Sequence, residues 1–515
     1  MKHTSICLAA ALLLSGGALA QPAPGGRANV VVQPEPSSLM LGITQNGPTQ
    51  LVSGNIYEGL LRYDAQLRPM PQLAKAWSIS EDGLTYTFDL RDDVKWHDGR
   101  NFTAADVVFS TDVFLRKTAA RFRGILQNVD SITAEGEYRV VFKLKQPFGP
   151  FIGAFEVGTA PMIPKHLYDG TDYASNPANN TPVGTGPFKF KRWVRGSYIN
   201  LEKNKDYYEA GKPYLDEIYW HVIPDAAARA VAYQSGTVDI LPGGSIENLD
   251  VARVAKLANT CVTDKGWEFF GPMSWMWLNN RQGITANVKF RQAIMYALDR
   301  KFALETLWND YGRVATGPVG SSTRYYSKGG TQYDYDPAKA RALIKESGYD
   351  GSALRLLPLP YGETWQRWAE LVKQNLMDVG VKVDIVATDV AGWNSRLSNW
   401  DFDMAFTYSF QYGDPALGVS RNYVSSNIAK GSPFNNVSGY ANSEVDTLFG
   451  EAAQAKDQVT SQRLYDKLQE KLTADVPVAW LQELIFPTVY RCNVKDLVTS
   501  GIGLNDGFKN AYIQK

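Results

Sequence analysis

Cysteine and histidine are almost absent from this sequence, with 3 and 4 copies in 515 residues. Cys7 lies in the apolar N-terminal stretch, which leaves Cys261 and Cys492, far apart and without CxxC spacing or neighbouring histidines. That excludes a thiol redox motif and a cysteine–histidine metal site. An oxidising compartment would permit one bridge between the two, and a buried free pair is the alternative. Excess charge of one sign is also lacking: 53 basic residues meet 53 acidic ones. The chain therefore has no basic footprint for nucleic acid or an anionic membrane. Beyond the N-terminus, no apolar run approaches the roughly 20 residues needed to span a bilayer.

Catalytic signatures are missing as well. There is no GxSxG, HExxH or GxxxxGK[ST], and no complete GxGxxG after a strand. Gly184-Thr185-Gly186 is followed by Pro187, whose fixed φ and missing N–H spoil a phosphate-cradling turn. His97 falls in the turn Trp96-His97-Asp98-Gly99 and is expected to be a solvated loop histidine. Asp401 and Asp403 could in principle share acid–base work, but residues two apart at a strand end read as an edge or loop feature. A secreted hydrolase stays as a distant alternative.

What the sequence does contain begins with a leader. Lys2 and His3, the apolar run Ile6 to Leu14 and the small residues ending Ala18-Leu19-Ala20 form a secretory signal, with cleavage expected after Ala20. Cys7 sits inside the apolar core, so the expected product is a free periplasmic protein without a lipid anchor. The remainder far exceeds the roughly 250–300 residues at which one core stops growing, so at least two domains are required.

From Val30 onward strand and helix patterns alternate, predicting a mixed α/β protein. Thr85 to Leu90 alternates polar and apolar side chains as a half-buried strand does. Thr103 is placed to cap a helix beginning Ala104-Ala105-Asp106. Trp368, Leu371, Val372, Leu376 and Val379 form a helical stripe, Gly380 stops it, and Val381, Val383 and Ile385 follow with strand periodicity. Leu464, Leu468 and Leu472 mark another helix near the end.

Four segments carry a resemblance. They are SEDGLTYTFDLRDDVKWHDG (80–99), PVGTGPFKFKRW (182–193) leading to Asn204-Lys205-Asp206-Tyr207-Tyr208, VKFRQAIMYALDR (288–300) and YDPAKARALIKESGY (335–349). Their order and spacing resemble the periplasmic solute-binding proteins of the oligopeptide, dipeptide and nickel type, family 5, which serve ABC transporters. The resemblance implies a two-lobed (Venus flytrap) α/β fold with an extra α+β subdomain on the first lobe. Lobe one would comprise 28–65, 184–268 and 488–515, the subdomain 66–183 and lobe two 269–487. It implies a small-molecule ligand between the lobes, a membrane permease as partner and a monomer; no cofactor is expected, no bare metal ion because the site region offers no histidine, and no nucleic acid because the charge is balanced.

In dipeptide binders of the family an arginine takes the peptide carboxylate and an aspartate its amino group. Alignment places Leu359 and Gln411 at those positions, with Tyr361 at a following tyrosine. A buried ionised terminus without a partner costs several kcal/mol, so the expected ligand is a small polar organic solute. A modified amino acid, an opine-like conjugate and a saccharide all qualify, and a peptide is the alternative. Gln411 is expected to hydrogen-bond it, with Asp414 as a cation partner or a turn residue. Trp275 and Trp277, Tyr361 and Trp365, and Tyr408, Phe410 and Tyr412 supply rings that could stack on it or belong to the core. Asn46 is the candidate contact from the first lobe.

Overall fold

The computed structural model describes residues 22, 24–432 and 434–514; the leader expected at residues 1–20 lies outside them. Among the described residues no helix is long and apolar enough to cross a membrane.

Lobe one is built on a seven-stranded mixed sheet ordered 260–263, 488–491, 240–241, 27–32, 217–222, 198–203 and 188–194. Its central strand, Arg27–Val32, pairs in parallel with strands on both sides. Ala28, Val30 and Val32 feed the main core, while Val31 meets Tyr233, Val251 and Val254 on the opposite face. A strand stretch buried on both faces must be apolar, as Val30-Val31-Val32 is.

A four-stranded antiparallel sheet ordered 74–79, 85–90, 139–144 and 129–134 forms a separate layer. Tyr86, Phe88 and Leu90 point inward from Thr85–Leu90 as their alternation requires. The helix after Thr103 starts at Ala104, and Asp106 accepts a hydrogen bond from the Thr103 backbone N–H at 3.0 Å.

Lobe two has its own six-stranded sheet, ordered 312–314, 478–484, 273–278, 404–409, 354–357 and 383–385. The amphipathic helix Glu363–Asp378 covers it through Trp365, Trp368, Val372 and Leu376. Gly380, at φ +91°, turns the chain back to the strand Val383–Ile385. Chain segments cross between the lobes twice, after Thr260–Thr263 and before Thr488–Arg491. These two strands are antiparallel neighbours, and Cys261 and Cys492 are bridged beside them.

The second segment of the resemblance closes on one buried carboxylate. Glu58 accepts hydrogen bonds from Thr185 Oγ1 at 2.9 Å, Tyr207 and Tyr208 hydroxyls at 2.8 and 2.9 Å, and Gln72 Nε2 at 3.1 Å. Burial pushes its pKa up, while the Lys509 charge and the donors work against that. Gly184 is glycine for a steric reason: a Cβ there would stand 1.8 Å from the Ile56 carbonyl oxygen. His97 is not the solvated loop residue expected from its turn. Its Nδ1 accepts from the Gly184 N–H at 3.2 Å, so Nε2 carries the proton and donates to the Gly186 carbonyl at 3.0 Å. Burial lowers its pKa to about 4, and a neutral imidazole props the same turn.

Candidate functional site

The strand Met404–Ser409 stays paired with Met273–Leu278 along its length but has Leu354–Leu357 beside it only at Met404 and Ala405, and toward its end its side chains change from core to cleft. Phe406 is fully buried against Trp368, whereas Tyr408, Ser409 and Phe410 are half-buried. Tyr408 stacks on Trp365 at 6.0 Å and 10°, and meets Phe410 at 6.0 Å and Phe486 at 5.8 Å. Phe410 in turn meets Phe270 at 5.3 Å and Trp267 at 6.5 Å, and Tyr412 at 6.1 Å. The result is a continuous aromatic wall beside the hinge, with rings from both crossings and from lobe two. Its weakly polar edges and faces suit an uncharged ring or alkyl surface of a solute. Burial pushes the Tyr408 hydroxyl up to about 12, so it stays a hydrogen-bond donor.

Two arginines approach this wall from opposite lobes. Arg121 lies over the Tyr412 ring at 3.8 Å and donates to the Gly158 carbonyl at 3.2 Å. Arg421 donates to Ser409 Oγ. Tyr412 itself has φ +53°, a conformation that costs a non-glycine residue about 1–3 kcal/mol and clusters at ligand clamps.

The lobes touch at both rims. Arg324 Nη2 donates to the Leu67 carbonyl at 3.1 Å, and Thr364 Oγ1 to Glu247 Oε2 at 3.0 Å. Beneath the first contact lies a cavity of about 350 Å³ lined by Tyr86 and Phe148 from the antiparallel layer and by Arg324, Asp414 and Tyr465 from lobe two.

Gln411 does not face the cleft as a free amide, contrary to expectation. It is buried, and its Oε1 accepts from the Gly320 N–H and the Thr323 hydroxyl, each at 2.8 Å. Its Nε2 donates to the Pro318 carbonyl at 3.0 Å. With both ends of the amide committed, the side chain fastens the 318–323 loop and has nothing left for a ligand.

Asp414 takes the turn role. Its Oδ1 accepts from the Ala416 N–H at 2.9 Å, capping the short helical segment Pro415–Val419. Burial raises its pKa to about 6, against the pull of its cap bond and of Arg324. Asp414 therefore holds a proton more tightly folded than unfolded. Stability from this term is full below about pH 4 and is lost as pH rises through about 6. Asp414→Asn keeps the capping oxygen and removes the charge. It is expected to raise stability at pH 7 by about 3 kcal/mol and leave it unchanged below pH 4, which urea unfolding at the two pH values would check. Equal gains at both would mean that the carboxylate is not the cause.

Residues 68–431 match the family model described as bacterial extracellular solute-binding proteins, family 5, middle. The chain belongs to this family. It is 30% identical to the oligopeptide-binding protein AppA of Bacillus subtilis over 457 residues, 84% of this chain and 81% of that one. It is also 30% identical to the glutathione-binding protein GsiB of Pectobacterium atrosepticum over 444 residues, 84% of each chain. Among solved structures it resembles the periplasmic binding protein AgaA of A. tumefaciens R10 in complex with agropinic acid. There the TM-score is 0.81 and the identity 26%, over 95% of this chain and 99% of that one. Proteins of family 5 bind a small ligand, work with ABC transporter permeases and are periplasmic or extracellular.

Within this family 5 protein the remaining candidates divide clearly. Trp275 and Trp277 are 3% and 1% exposed on the central strand Met273–Leu278. Their rings touch each other, and Trp277 meets Trp393 at 6.1 Å, so they are lobe-two core rather than cleft. Trp365 is 4% exposed and backs Tyr408 from behind. Leu359 is buried, whereas Tyr361 is exposed at the lip of lobe two. Asn46 is exposed, but its Oδ1 caps the helix Gly47–Ser53 by accepting from the Thr49 N–H at 3.0 Å. Asp401 and Asp403 both pair with Arg355 in lobe two, a structural network away from the wall. Sequence reasoning missed Arg121, Trp267, Phe270, Arg421 and Phe486. One signal was available, since Arg421 is the single charged residue between Asp414 and Lys430.

Proposed function

We propose that this protein captures a small polar organic solute between its lobes and passes it unchanged to the permease of an ABC importer. A modified amino acid, an opine-like conjugate or a saccharide fits the reading. The observation that carries it is the aromatic wall, to which both crossings and lobe two contribute rings. The wall lies beside the hinge with Arg121 of lobe one over its Tyr412 ring, so a solute lying on it gains lobe-one contacts in the closed form. That difference is what drives closure. Support also comes from relatives that hold glutathione and agropinic acid.

We assign the ligand contacts to Tyr408, Phe410 and Tyr412, with Tyr361 at the lip. The lobe limits follow the crossings: 28–65, 184–268 and 488–515 for lobe one, 66–183 for its subdomain and 269–487 for lobe two. The working form is a periplasmic monomer that carries out no reaction. A peptide ligand is the second reading, favoured by the similarity to an oligopeptide-binding protein. Leu359 speaks against a dipeptide held by its free carboxylate at that position.

Mass spectrometry of solute released by denaturing the purified protein tests the reading. A non-peptide polar solute is expected, recovered intact after rebinding to fresh protein. An unmodified dipeptide would overturn the solute class, and chemical conversion of the rebound solute would overturn the transport role.

A further inference from the structure

Arg121 and Arg421 have charge to spare. The Nη1 atom of Arg121 and the Nε atom of Arg421 are both buried without a hydrogen-bond partner. Among the described residues Arg421 has no carboxylate within ion-pair distance, and Ser409 Oγ is its side-chain partner. Arg121 has only Glu156, 3.7 Å away, and both oxygens of Glu156 already accept other bonds, from the Gly158 N–H and the Thr159 hydroxyl. A buried guanidinium is costly unless it is paired and hydrogen-bonded. Buried Arg291 and Arg300, by contrast, spend donors on backbone carbonyls at 2.7–3.0 Å.

The two unsatisfied groups also belong together. Arg121 rests on the Tyr412 ring, and Tyr412 joins the wall through Phe410. Burial lowers the pKa of Arg421, the Tyr412 hydroxyl opposes this, and the Arg121 charge lowers it further. Arg121 sits on Tyr412 from lobe one and Arg421 on Ser409 from lobe two, and like charges facing one wall repel unless an anion lies between them. Glu156 offsets one charge, and one positive charge remains.

Resting on the reading of solute capture, we infer that the solute is an anion whose carboxylate bridges Arg121 of lobe one and Arg421 of lobe two. The anion thereby ties closure to binding. In the absence of solute the repulsion favours open lobes, and with it the same two charges become the clamp. A guanidinium suits the task because its planar donors match a carboxylate.

Thermal shift and calorimetry on the wild type, Arg121→Gln and Arg421→Gln test this, with glutathione and agropinic acid as carboxylate probes and sucrose and trehalose as neutral ones. Stabilisation by a carboxylate probe, weakened about 10- to 100-fold in each variant, supports the inference. A neutral probe that binds all three proteins equally overturns it and leaves solute capture standing. If no probe shifts the wild type, the ligand-free melting temperature of Arg421→Gln decides. A rise marks a buried charge awaiting its counter-ion and supports the inference. A fall marks a structural arginine and overturns it.

Discussion

Gln411→Ala is expected to destabilise the ligand-free protein by about 3–4 kcal/mol, read as a lower urea midpoint with an unchanged slope. The substitution strands the Gly320 N–H, the Thr323 hydroxyl and the Pro318 carbonyl, all partners of one buried amide. Each buried group left unpaired costs about 1–3 kcal/mol, and partial entry of water recovers some of the total. Gln411→Glu separates the contributions. Its carboxylate still accepts from Gly320 and Thr323 but repels the Pro318 carbonyl, so it should fail for charge rather than for cavity. The family alignment pointed to a different result, a loss of ligand affinity with the fold unaffected. Unchanged unfolding combined with weaker binding would return Gln411 to the ligand shell.

That reversal shows what the sequence can and cannot convey about a cleft. Period-two alternation correctly gathers Tyr408, Phe410 and Tyr412, whose rings follow one another at 6.0 and 6.1 Å. The same alternation gives Trp275 and Trp277, and these are core. The difference lies in what flanks each strand. Met273–Leu278 has a neighbour on either side and is buried along its whole length. The end of Met404–Ser409 keeps Met273–Leu278 on one side but has outrun Leu354–Leu357, which pairs only with Met404 and Ala405. Periodicity fixes a face of a strand, but not the point at which that strand outruns its cover.

The folding signals that held were local. The capped helix after Thr103, the glycine stop at Gly380 and the alternation in Thr85–Leu90 need only a few neighbouring residues. The roles that escaped depend on partners far along the chain. Gln411 reads as a hydrogen-bonding side chain in any context, and the partners that occupy it lie 88 to 93 residues away. Arg121 sits on a short helix with Arg123 close by and looks like an ordinary solvated charge. Its position over Tyr412 comes from lobe closure, which no local pattern records.

Loss of the Cys261–Cys492 bridge is expected to cost about 4–5 kcal/mol of stability. The comparison is between the oxidised protein and the Cys261→Ser, Cys492→Ser double variant, by urea unfolding. The two cysteines are 231 residues apart, and the chain between them contains the whole of lobe two. Closing so long a loop removes much of the freedom of the unfolded chain, and the gain grows only with the logarithm of its length. Its position indicates that function should be spared. Cys261 precedes the first crossing and Cys492 follows the second, on strands already paired within lobe one. The bridge therefore ties the lobe-one ends of both crossings without spanning the hinge. Lobes can open and close around it, so ligand affinity measured well below the melting temperature should match between the two proteins. Native protein whose two cysteines both react with an alkylating agent would show that no bridge forms. Equal stability with the bridge intact would mean that the strand pairing already confines the loop in the unfolded chain.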